Sequence, residues 1–157
     1  MMASDELFDL CERYTKLYPR EFLSHEASNG IQNLLRITFP SEVASLLEFY
    51  GGGCLGGIEH YSFSLKDEFN VVSKTLQLRD TIGLPLKYMA LAEPFGSTLI
   101  VLDGGSQSPT FGKVYWLDAG QIYELIDNQL LCASNEWEDY GEFFRFMLEA
   151  EEEMNNH

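Results

Sequence analysis

Tyr88-Met89-Ala90-Leu91-Ala92-Glu93-Pro94-Phe95-Gly96-Ser97-Thr98-Leu99-Ile100-Val101-Leu102-Asp103-Gly104-Gly105 decides the fold class. Tyr88 to Ala92 and Thr98 to Leu102 are apolar runs of strand length, split by Glu93-Pro94-Phe95-Gly96 and closed by Asp103-Gly104-Gly105. Pro and Gly punctuate such runs as turns, and strands joined by so short a connection run antiparallel. Lys113 to Leu117 and Gln121 to Ile126, separated by Asp118-Ala119-Gly120, have the length and chemistry of a further hairpin. Upstream, Ile58, His60 and Ser62 alternate with Glu59, Tyr61 and Phe63, the period of a strand. The expected fold is α+β: a single, mostly antiparallel sheet packed against N- and C-terminal helices.

The helices are read from a different period. Leu7, Leu10, Cys11, Tyr14, Leu17 and Tyr18 repeat at helical spacing over Ser4 to Tyr18, with Ser4 as the expected cap and Pro19 as the stop. Ser24 to Gln32 reads as a polar loop, and Leu34 to Phe39 as either a strand or an irregular segment. A second helix starts at Pro40, carries Val43, Leu46, Leu47 and Tyr50, and ends at Gly51-Gly52-Gly53. Asp67 is placed to cap a third, with Phe69, Val72 and Leu76 on its inner face and a break at Gly83-Leu84-Pro85. Ser106 to Thr110 reads as a mobile loop. The last helix is expected from Asn135 to Glu149, with Glu138 in its cap and Trp137, Tyr140, Phe144, Met147 and Leu148 inward. Its end at Glu149 to Glu153 sets acids against the helix dipole, so the tail 149–157 should fray.

With 157 residues, no internal repeat and no Pro- or Ser-rich linker, the whole chain reads as one domain, 1–157. Eleven Phe, eight Tyr and two Trp supply its core without a staple. Met1 to Leu10 carries acids and no basic region, and no apolar run approaches the roughly 18 residues that span a bilayer, so a soluble, cytoplasmic protein with no membrane association is expected. Cys11, Cys54 and Cys132 have no common spacing and read as reduced, buried thiols.

Charge excludes one class of partner. Twenty-five acidic and ten basic side chains give a formal charge of −15, and the basic ones are scattered singly, so nothing here can displace counterions from a nucleic acid. The acidity can serve solubility alone, or it can speed encounter with a basic partner.

Each catalytic or ligand motif fails on context. Gly51 to Gly57 is rich in glycine but follows a helix instead of opening one, which suits a helix cap and turn and not a phosphate cradle. His25, His60 and His157 share no metal-ligand spacing, and no nucleophile elbow surrounds Ser97 or Ser106. Glu136, Glu138 and Asp139 sit where a helix N-terminus favours acids anyway. No catalytic residue, metal, nucleotide or other cofactor is therefore expected. From Glu136 to His157 there are eight acids and one base, Arg145, which reads as a solvated face or as a docking surface. On the expected hairpin, Tyr115 and Trp116 face opposite ways, so core packing leaves one face free to show an aromatic beside Asp118 and Glu124. The candidate partner-binding set is Tyr115, Asp118, Tyr123, Glu124, Glu136, Glu138 and Asp139.

The landmarks, taken in order, resemble the SUKH superfamily of regulatory and toxin-immunity proteins. Phe39-Pro40, Val43, Leu46, Leu47, Phe49, Tyr50 and the glycines that follow are similar to its Leu-Pro helix ending in Asn-Gly-Gly. Leu84-Pro85, Met89 to Ala92, Phe95-Gly96 and Leu99 to Asp103 resemble its Leu-Pro, Ile-Ala, Gly-Asp and strand series. Gly112 to Asp118 is similar to its Gly-x-Val-Tyr-x-Trp segment, and Trp137 to Leu148 to its closing helix. Ser97 stands where the family usually has Asp or Asn, and Trp116 directly follows Tyr115. The match runs from about Phe39 to Leu148. It implies a non-catalytic domain that binds a protein: an immunity factor for a toxin, of which a basic nuclease domain would suit −15. The alternative is an intracellular regulator of the kind that controls cell-wall synthesis, and a small-molecule enzyme stands third.

Overall fold

The computed structural model describes residues 2–156. Its elements run α1 (Ser4–Leu17), α2 (His25–Leu35), α3 (Ser41–Leu46), β1 (Gly53–Leu55), β2 (Ile58–His60), α4 (Val71–Thr81), β3 (Tyr88–Ala92), β4 (Leu99–Asp103), β5 (Val114–Leu117), α5 (Ala119–Ile126), β6 (Asn135–Trp137) and α6 (Tyr140–Asn155). Met1 and His157, the latter one of the three histidines set aside as ligands, lie outside the described residues.

The six strands form one sheet in chain order, every neighbouring pair antiparallel. This is the expected α+β class. Leu55 pairs with Ile58 across Gly56-Gly57, whose φ values of 66° and 77° are those that a two-residue hairpin turn requires and that glycine adopts freely. Helix α6 lies against that turn: a Cβ at Gly56 would stand 2.9 Å from Met147 Sδ and 3.0 Å from the Met147 carbonyl oxygen.

Both faces of the central strands are covered, which is why β3 and β4 are buried at all five positions and read as unbroken apolar runs. Met89, Leu91, Ile100, Leu102 and Val114 join the larger core with α1, α2, α3 and α6. Tyr88, Ala90, Leu99, Val101, Tyr115 and Leu117 form a smaller core closed by Leu84, Leu125 and Ala133. Beyond the pairing of His60 with Ala92, the Ala90 N–H donates to Thr75 Oγ1 of α4 at 2.9 Å, a side chain substituting for a strand.

Several expected elements differ. Ser24 to Gln32 is helix, not loop: Ser24 accepts from the Ala27 N–H, Ser28, Ile31 and Leu35 are buried, and left-handed Arg36 ends it. Its outer face is so polar that only three buried positions carry the period. In α1 the cap is Ala3, with Ser4 already helical. Asn70, not Asp67, caps α4, and its buried residues are Val71, Val72 and Thr75; Phe69 and Leu76 point outward, 68 % and 44 % exposed.

The hairpin expected over Lys113 to Ile126 is a strand followed by a helix. Asp118 is not a turn residue but a helix cap: its carboxylate accepts from the Gln121 N–H and Gln121 Oε1 accepts from the Asp118 N–H, each at 2.9 Å. Likewise Asn135 to Trp137 is the strand β6, and α6 begins after its cap Asp139. Its acidic end runs on to Asn155. Glu151 is buried and accepts from Tyr18 Oη at 2.5 Å, the Gly56 N–H at 2.8 Å and Asn155 Nδ2 at 3.0 Å, while Glu152 takes Arg13 bidentately at 2.6 and 2.9 Å.

Ser106 to Thr110, expected to be a mobile loop, is tied to the wholly buried Asp103. That carboxylate accepts from the Gly105 N–H, Ser108 Oγ and Thr110 Oγ1 at 2.9, 2.7 and 2.6 Å, with Lys87 Nζ at 3.7 Å. Nor are the cysteines buried as expected: Cys11 is half-buried, and Cys54 and Cys132 are exposed.

Candidate functional site

The seven residues singled out in the sequence fall into two groups. Asp118, Tyr123 and Glu124 belong to the start and outer face of α5, where Tyr123 is 63 % exposed. Tyr115 pairs with Glu136 across β5 and β6, and both border a recess of about 220 Å³ with Lys113, Leu131 and Cys132. Tyr115 itself is buried in the smaller core, and that burial raises the pKa of its phenol. Lys113 Nζ stands 3.3 Å from Glu136 and 3.5 Å from Glu138, so part of this acidic face is already neutralised, and the Glu136 contact raises the lysine's pKa. Asp118 and Asp139 spend their carboxylates on helix caps. Tyr123 and Glu124 are left on offer, near-neighbours of the 98 % exposed Leu131 in chain order only.

A larger site gathers residues far apart in sequence. Glu21, the turn Gly51 to Gly53, the segment Glu59 to Ser62, Asp67 to Phe69 and Glu93 line a cleft of about 450 Å³. Its walls are set by backbone. Gly52 has φ 102° and lies so close to the next segment that a Cβ would come 2.5 Å from the Tyr61 carbonyl oxygen. The Phe63 N–H donates to Gly51 O at 2.9 Å, the Ser62 N–H to Phe69 O at 3.0 Å, and the Val71 N–H returns to Ser62 O at 2.9 Å. Ser62 Oγ donates to Asp67 Oδ2 at 2.6 Å and accepts from the Ser64 N–H at 2.9 Å, which closes the 62–70 loop on itself.

Among the described residues, five carboxylates line this cleft and no lysine or arginine does. Glu93 meets Lys74 at 2.8 Å and accepts from Tyr61 Oη at 2.6 Å; burial, then that carboxylate, push the phenol's pKa well up. Among the described residues no cation pairs with Glu21, Glu59 or Glu68. The histidine of the lining is uncharged at neutral pH, because burial lowers the pKa of His60 to about 4 despite the opposing effect of the bond its Nε2–H donates to Leu55 O at 3.0 Å. Lys74 offsets Glu93 alone, so among the described residues the negative potential of the other four carboxylates is not cancelled from within. No three His, Cys, Asp or Glu among the described residues converge as a metal site. Among the described residues no helix is long and apolar enough to cross a membrane.

Spacing in the sequence could not reveal this cleft, since its parts come from five separate segments. The one local signal was Lys66-Asp67-Glu68-Phe69, where an aromatic closes a charged turn.

The comparisons agree with this architecture. A SUKH family model described as SMI1-KNR4 cell-wall matches residues 5–145, and the chain belongs to that family. Among solved structures, a crystal structure of a protein from Pseudomonas syringae pv. tomato superposes with a TM-score of 0.59 at 14 % identity, covering 90 % of this chain and 98 % of that one. At that identity the likeness is one of fold. No curated protein matches the chain.

Proposed function

We propose that this SUKH domain is a non-catalytic protein-binding domain whose partner is basic, and that it acts as an immunity protein against a toxin, a nuclease domain fitting the charge best. The observation that carries the reading is the cleft lined by five carboxylates and no cation, in a chain of charge −15. Such a surface attracts and orients a basic protein, and it repels nucleic acid. Two smaller acidic patches, Tyr123 with Glu124 on α5 and Glu136 with Glu138 by β6 and Lys113, are available to the same partner, with Tyr123 as an aromatic anchor. Tyr115 is withdrawn from that set by its burial, and Asp118 and Asp139 by their capping roles.

The family description, SMI1-KNR4 cell-wall, favours a second reading, an intracellular regulator that works through the same kind of contact. The two separate in one experiment. The domain is used as bait, the captured partner is identified, and the partner is then expressed alone and with the domain. An immunity protein is supported if the partner is toxic alone and harmless with the domain. A partner that is not toxic in either case supports the regulator. Capture of nothing but nucleic acid or small molecules would count against both.

A further inference from the structure

The cleft has an aromatic lip as well as charge. Phe69 lies just before α4, whose cap Asn70 and first two residues, Val71 and Val72, take the buried positions, and its ring is left 68 % exposed with no aromatic neighbour among the described residues. An apolar ring standing free in the same lining as Glu59 and Glu68, neither of which meets a cation among the described residues, is poorly used by the fold itself. The carboxylates also do not converge on a point, since no three of them form a cation site. A single small ion is therefore a poor occupant, and an extended organic cation is a good one. The volume, about 450 Å³, is within the roughly 300–1,000 Å³ of ligand pockets and leaves room for a side chain with its flanking backbone. Hydrogen bonds within the 62–70 loop fix the wall before anything binds.

We propose that the cleft receives an arginine side chain presented by the basic partner, its guanidinium among Glu21, Glu59 and Glu68 and its planar face on Phe69. Arginine suits this lining better than lysine. Its flat, weakly hydrated fork bonds two carboxylate oxygens at once and stacks on a ring, whereas an ammonium is a strongly hydrated point charge. The inference rests on the partner being a basic protein, but its test does not need that partner.

The probes are three capped peptides of one sequence, Gly-Gly-X-Gly-Gly, with X arginine, lysine or the neutral isostere citrulline. Each is titrated into the isotopically labelled full chain, and backbone amide shifts are followed. Arginine should shift Gly51 to Gly53 and Tyr61 to Phe69 selectively, lysine should bind there at least about 3-fold more weakly, and citrulline should leave those amides unmoved. Phe69→Ala should weaken the arginine peptide by about 2- to 5-fold, the size of an exposed cation–π contact. Glu59→Gln with Glu68→Gln should abolish the local shifts, while Glu149→Gln with Glu153→Gln, an equal loss of charge on α6, should leave them unchanged. Shifts spread equally over α6 and the cleft, or equal affinity for lysine and arginine with no effect of Phe69→Ala, would overturn the assignment. A peptide that binds here while the captured partner proves non-toxic would sink the immunity reading and leave the arginine site standing.

Discussion

Acid should unfold this protein partly through one residue, His60. Its ring is 6 % exposed, edge-on to Tyr50 and Phe143 with centroids 6.4 and 5.7 Å away, and burial lowers its pKa from 6.5 to about 4. The unfolded chain takes up the proton from pH 6.5 downward, whereas the folded protein resists it until about pH 4. The stabilisation from neutral His60 is thus fully present above pH 6.5 and is lost as pH falls through that window. A fall from 6.5 to about 4 corresponds to about 3 kcal/mol at roughly 1.4 kcal/mol per pH unit. The assay is urea unfolding of the native chain and of His60→Gln, in steps from pH 7.5 to 4. Glutamine keeps an N–H for Leu55 O and has no charge to gain, and the carboxylates common to both chains cancel in the difference. The stability difference, native minus variant, should fall by about 3 kcal/mol across the series. A difference that does not change with pH would refute the burial argument.

Two further substitutions probe how the helices are fixed to the sheet. Thr75→Val keeps the shape of a wholly buried side chain but leaves the Ala90 N–H without its acceptor, and should cost about 1–3 kcal/mol in the same urea assay. Glu151→Ala removes the common acceptor of Tyr18 Oη and the Gly56 N–H; hydrogen exchange should show the Gly56 amide and the last turn of α6 losing protection, with the central strands β3 and β4 keeping theirs.

The central strands were legible because burial on both faces leaves one reading open: Tyr88 to Ala92 is a strand at the expected bounds. Polar residues with two possible roles were not. Asp118 suits a hairpin turn and a helix cap equally, and only Gln121, reaching back to the Asp118 N–H and on to the Ser134 N–H and Oγ, decides for the cap. In α2 three buried positions among polar neighbours were too thin a stripe to separate helix from loop. Phe69 illustrates the converse: spacing assigned it to the core of α4, and the helix begins too late to bury it. The acidic cleft stayed hidden for a topological reason, since Glu21, Gly51 to Gly53, Glu59 to Phe69 and Glu93 meet only once the sheet has formed.

That this cleft is where a basic protein docks is tested most directly by the rate at which the captured partner associates with the domain. The rate is measured by stopped flow at several salt concentrations for the native chain, for Glu59→Lys with Glu68→Lys, and for Glu149→Lys with Glu153→Lys. Exposed charges are screened beyond roughly 8 Å at physiological ionic strength, so the native rate should fall as salt rises. The cleft pair should slow association about tenfold or more at low salt and flatten its salt dependence, while the α6 pair changes it by less than about threefold. Equal slowing by both pairs, or a rate indifferent to salt and to the cleft charges, would contradict the account.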